Sequence, residues 1–203
     1  MKTTQPSVKA RGRPRSFDVK RALDAAMNVF WQEGYEGASL SDLTGAMGIS
    51  RPSLYAAFGD KESLFRMVLD RYSDGPAAFV REAIGQSTAH AVIEHLLDGA
   101  ANQTTDPVNP GGCLFLQAGL ACGKGAATIQ QELVRRRNSG EQALRERLER
   151  AKAEGDLGGS TDPADLARYV VTVMRGMGVQ AADGASREEL RRVIETTLRL
   201  LSK

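Results

Sequence analysis

Residues 39–65, SLSDLTGAMGISRPSLYAAFGDKESLF, constrain this chain most: they spell two short helices joined by a glycine turn, with a third helix starting behind them. Ser39 can cap the first helix, Asp42 completes an S-x-x-D box, and Leu40, Leu43 and Met47 fall on one face. Gly48 supplies the turn, because a residue without Cβ enters the left-handed region at little cost. Ser50 caps the next helix, and Pro52 sits in its first turn, where a missing N–H is harmless. Leu54, Tyr55 and Phe58 can pack back on the first helix, leaving Arg51, Pro52, Ser53 and Ala56 outward. The pattern is a helix-turn-helix, whose second helix can enter a DNA major groove.

Charge is placed to match. The net charge of the 203 residues is +2, yet residues 1–21 alone carry Lys2, Lys9, Arg11, Arg13, Arg15, Lys20 and Arg21 against Asp18. The arm at 1–15 is rich in Arg, Gly and Pro, cannot bury enough apolar surface to fold alone, and should be disordered without DNA. Arg11, Arg13 and Arg15 are its candidate phosphate or minor-groove contacts.

The remaining periodicity is helical throughout, so the fold class is all-α. A first helix from about Phe17 to Glu33 buries Ala22, Ala26, Val29 and Phe30, with Gly34 as its stop, and a fourth is capped by Asp60 and runs to about Arg71. Helical stretches follow at 76–84, 88–101, 113–122, 128–154, 163–182 and 186–201. Only two cysteines, no signal-peptide pattern, and no apolar run approaching the roughly eighteen residues of a membrane span point to a cytoplasmic protein without membrane partners.

The segment SRPSLYAAFGDKESLF resembles helices 3 and 4 of TetR-type transcriptional regulators, and the resemblance runs back through GYEGASLSDLTGAMGI and FDVKRALDAAMNVFWQEGY to about residue 13. It implies a basic arm at 1–15, a DNA-binding head at 16–60, and a helical effector-binding and dimerisation body at 61–203. The partners it implies are a palindromic double-stranded DNA operator, a second copy of the chain and a small-molecule effector, with no cofactor. Carried over position by position, Tyr55 corresponds to the tyrosine that reaches the DNA backbone or a base edge, and Lys61 to the lysine that opens helix 4 and holds phosphate.

Residue chemistry adds Arg51, the one side chain at the front of the recognition helix able to make bidentate bonds to guanine, or else a solvated or phosphate-bound arginine. Ser39 and Ser41 can offer hydroxyl and main-chain N–H groups to a phosphate, and Pro52 and Ser53 complete the outward surface. Thr44, where many relatives have Ala, is a packing variation. Ala56 and Ala57 stand where many relatives carry an aromatic residue or His, which moves weight onto the arm and Arg51.

In the last two helices Leu166, Val170, Val173 and Met177, then Val193, Ile194, Thr197 and Leu198, recur at helical spacing. Such stripes either pack within one subunit or pair two; the resemblance favours a four-helix dimer interface. Apolar residues of the middle helices suggest an effector pocket around Phe79, Leu96, Cys113, Phe115 and Met174.

Enzymatic and metal chemistry find no support: His90 and His95 lie about 140° apart on a helix, and neither a phosphate-cradling glycine loop nor a nucleophile–base set is present. Cys113 has two readings. NPGGCLFL starts a helix at it, where terminal N–H groups stabilise negative charge on sulfur and suit a redox or electrophile sensor; the plainer reading is a small apolar residue of the core. The GGCLF stretch resembles one found in TetR-type subgroups that include sensors of reactive compounds. Cys122 is out of phase with it for a disulfide.

Overall fold

The computed structural model describes residues 17–120 and 126–201, so Arg11, Arg13, Arg15 and Cys122 lie outside the described residues. Among those described there are ten helices and no strand: α1 (Val19–Gly37), α2 (Leu40–Met47), α3 (Arg51–Phe58), α4 (Lys61–Asp74), α5 (Phe79–Ile84), α6 (Ala89–Thr104), α7 (Leu114–Leu120), α8 (Ala127–Ala153), α9 (Pro163–Ala182) and α10 (Arg187–Leu201). None is long and apolar enough to cross a membrane.

Local chemistry sets most of these boundaries. Asp18 starts α1 by accepting from the Lys20 and Arg21 amides, and Thr88, Asp60 and Asp162 cap α6, α4 and α9 in the same way. Gly34 does not end α1 as expected. It breaks the helix with φ 70°, and the turn resumes as far as Gly37.

Two cores form. The first joins Phe30 and Trp31 of α1, Leu43 of α2, Leu54 and Phe58 of α3, and Leu64, Phe65 and Tyr72 of α4, and continues into Leu114 of α7 and Leu133 of α8. Although α4 reads in sequence as the start of the body, it therefore shares the core of the head. Ring contacts stiffen this unit: Trp31 meets Tyr72 edge-on at 4.9 Å, and Tyr72 meets Phe115 at 4.9 Å. Tyr55, expected to pack back on α2, takes no part in it and is half exposed at 50%.

The second core draws Val92, Ile93 and Leu97 of α6 together with Leu144 and Leu148 of α8, Leu166 and Val170 of α9, and Leu190 and Ile194 of α10. This corrects the expected interface stripe. Leu166, Val170, Met177, Ile194 and Thr197 are buried within their own chain, because α9 packs on α6 and α8 and α10 packs on α6. Val173 and Leu198 are half-buried. The uncovered apolar groups are Tyr169 and Val179 of α9, and Val193 and Leu200 of α10. Close packing also explains Gly99, where a Cβ would lie 2.5 Å from the Phe79 ring, so that α5 could not lie so close to α6.

Candidate functional site

At the head, Ser39 Oγ accepts from the Asp42 amide at 3.1 Å while Asp42 Oδ2 accepts from the Ser39 amide at 3.1 Å, completing the capping box. These bonds hold the Asp42 carboxyl below the usual carboxylate range. They also commit the Ser39 main-chain N–H and place a negative charge at the start of α2. Of the groups expected to meet phosphate there, the Ser39 and Ser41 hydroxyls remain exposed.

Gly48 then adopts φ 65°, ψ 32°, donating to Gly45 and passing the chain to Ile49, whose amide bonds back to Thr44 at 3.1 Å. Because Leu54 and Phe58 are buried in the head core, where α3 packs on α2 and α4, the face of α3 carrying Arg51, Pro52, Tyr55 and Ala56 is turned to solvent. Ser53 is partly withdrawn. Its hydroxyl lies 2.9 Å from that of Ser50, whose oxygen also accepts the Ser53 amide. Lys61 opens α4 immediately behind this face. Its ammonium rests 4.7 Å from the centroid of the Tyr35 ring, and burial lowers its pKa while Glu36 partly offsets the shift.

The second feature lies where the two cores meet, in a cavity of about 510 Å³. Tyr72, Cys113 and Phe115 wall it from one side, Leu96, Val171 and Met174 from the other, and Phe79 packs against both cores. All five residues expected to line a pocket are in this wall: Phe79, Leu96, Cys113, Phe115 and Met174. The wall also contains residues that no sequence pattern marks: Tyr72, Gln103, Thr104 and the charged group Arg136, Arg137, Glu141 and Arg175. Arginines on a long charged helix read as solvated, and only the fold turns them inward. The Tyr72 hydroxyl donates to Cys113 Sγ at 3.6 Å, and burial, with Cys113 beside it, pushes the Tyr72 pKa well up, so the phenol stays a neutral donor.

Residues 22–68 match the family of bacterial regulatory proteins of the tetR type, and residues 89–197 match the tetracyclin repressor-like C-terminal domain. The chain belongs to the TetR family. It is 37% identical over 200 residues to the HTH-type transcriptional repressor ComR of Escherichia coli K12, covering 98% of this chain and 95% of that one. It is 28% identical to the transcriptional repressor BdcR of the same strain, over 92% of this chain and 90% of that one. Among solved structures, a cysteine mutant of the TetR family regulator CifR complexed with a 26-base-pair double-strand operator DNA superposes with TM-score 0.88 at 42% identity, over 93% of this chain and 98% of that one. TetR membership makes this chain a transcriptional regulator and not an enzyme.

Proposed function

We propose that this TetR-family protein is a cytoplasmic, ligand-responsive repressor that binds a palindromic operator as a homodimer and is released when a small molecule enters the cavity. The observation that carries the reading is the position of that cavity. Its walls belong to both cores, so an occupant changes how α4, and with it the head, sits on the body. Arg51 reads a base edge, Pro52, Ser53 and Tyr55 complete the recognition surface, and Lys61, Ser39, Ser41 and the arm residues Arg11, Arg13 and Arg15 meet phosphate or the minor groove. Dimerisation uses the uncovered face of α9 and α10, with Tyr169 and Val179 on the first and Val193 and Leu200 on the second. Gly176, which has open space beside it, lets the two copies approach closely.

Selection of bound duplexes from a random pool tests this. An inverted repeat whose half-site centres lie roughly 34–36 Å apart is the expected product. Binding to it should weaken steeply with salt, as each neutralised phosphate contributes a slope of about −0.9 in log–log form. A pool that converges on no repeat, or on a single half-site, contradicts the dimer reading.

A second reading of the release step rests on Cys113, which is half-buried in the cavity wall with the Tyr72 O–H directed at its sulfur. Here an electrophile or oxidant, rather than a reversible ligand, would trigger release. Limiting alkylation should label Cys113 before Cys122 and lower operator affinity, and Cys113→Ser should retain DNA binding while losing that response. An inert Cys113 in the folded protein, or a serine variant still released by the reagent, returns the residue to a packing role.

A further inference from the structure

Three side-chain bonds join α4 to α8 with one constant spacing. Thr128 donates to Glu62 at 3.1 Å, Arg66 to Glu132 at 3.2 Å, and Arg136 to Asp70 at 2.7 Å; each pair is 66 residues apart, and successive rungs are four residues on. The two helices therefore run parallel in register. Contacts within each helix tie the rungs together, since Arg66 also bonds Glu62 at 2.8 Å and Arg136 Nε bonds Glu132 at 2.7 Å. Glu132 is the buried centre, its side chain 8% exposed, and it also pairs with Arg135.

The third rung differs from the others in facing the cavity. Arg136 is in the cavity wall, with its side chain 22% exposed, whereas its partner Asp70 is 65% exposed. Solvated carboxylates hold their partners weakly, so of the two carboxylates that Arg136 bonds, exposed Asp70 is given up more easily than buried Glu132. The charged groups of the wall are Arg81, Arg136, Arg137 and Arg175 against Glu141 alone. Arg137 bonds the Phe115 carbonyl at 2.7 Å, Arg175 faces Glu141 at 3.5 Å, and Arg81 pairs with Asp74 at 3.3 Å outside the cavity. The rest of the lining is mostly aromatic and aliphatic, with neutral polar groups at Ser73, Gln103, Thr104 and Ser139.

We propose that the cavity takes an apolar monoanion of the carboxylate class, and that its anionic group takes Arg136 from Asp70, opening the α4–α8 ladder at its third rung. This rests on the reading of the cavity as the effector site, and it assigns both the ligand chemistry and the contact through which occupancy reaches α4. A guanidinium edge can accept a planar carboxylate bidentately, and it does so more strongly inside a cavity than at the solvated rim where Asp70 lies. Once the rung is open, α4 keeps its hold on the head core through Leu64 and Phe65 and loses its outermost tie to α8.

Calorimetric titration of the full chain with 2-naphthoate and with its neutral counterpart 2-naphthalenemethanol tests the assignment. The acid should bind about tenfold tighter than the alcohol. Asp70→Asn, a substitution at an exposed site, should tighten naphthoate by about threefold by removing the competitor for Arg136, and leave the alcohol unchanged. Arg136→Gln should abolish the preference for the acid. Equal binding of the two probes, a preference that survives Arg136→Gln, or no tightening in Asp70→Asn overturns the anion assignment while the cavity remains an effector site. Binding of neither probe overturns both.

Discussion

Val179→Glu combined with Val193→Glu will convert the protein to monomers and lower operator affinity by about 10²–10⁴-fold. The two residues are 47% and 42% exposed on α9 and α10, where carboxylates meet no neighbour within the chain's own core. Each substitution should leave folding intact to within about 0.5 kcal/mol, as is usual for surface sites. In a symmetric dimer each changed residue faces the partner's copy of the same surface, so the interface would have to bury four new carboxylates. The affinity loss follows from valency: a dimer's second head binds intramolecularly, whereas a monomer engages one half-site alone. Sedimentation and fluorescence anisotropy check the two halves of the prediction, and circular dichroism checks that the helices persist. A double variant that remains dimeric with parental affinity places the interface on another face.

The same surface shows what was and was not legible in the sequence. Helix boundaries are local chemistry, and Ser39 with Asp42, Asp60, Asp162, and Ser186 with Glu189 all form the caps that their spacing predicts. The turn at Gly48 is legible for the same reason. Which of several neighbours covers an apolar stripe is not local. Leu166, Val170 and Ile194 read equally well as core or interface, and they are core because α6 and α8, brought in from up to a hundred residues away in sequence, lie beneath them. Tyr55 carries two expectations, packing by its aromatic spacing and outward placement by the family resemblance; its 50% exposure departs from the first, because Leu54 and Phe58 already fill the contact with the head core.

The cavity was legible only in its apolar part. Phe79, Leu96, Phe115 and Met174 announce burial by type, and burial near the middle of the chain is what a pocket needs. Arg136, Arg137 and Arg175 do not, because a charged side chain on a charged helix has a solvated reading that only the partners across space displace. The contacts that give Arg136 its place, to Asp70 and within the wall, span 66 residues of sequence. Glu132 likewise reads as one more surface carboxylate of α8 and proves to be the buried centre of the ladder.

The outward face of α3 as the reader of sequence is tested most directly by comparing Arg51→Ala with Lys61→Ala on the selected operator and on a scrambled duplex across a salt series. Arg51→Ala should weaken operator binding by about 1–3 kcal/mol, leave scrambled DNA nearly unaffected, and so compress the ratio between them. Lys61→Ala should weaken both duplexes alike and reduce the salt slope by about one unit, because phosphate contacts carry no sequence information. If Arg51→Ala keeps the parental ratio of operator to scrambled affinity, then α3 does not read base edges through Arg51, and the account of sequence recognition is contradicted.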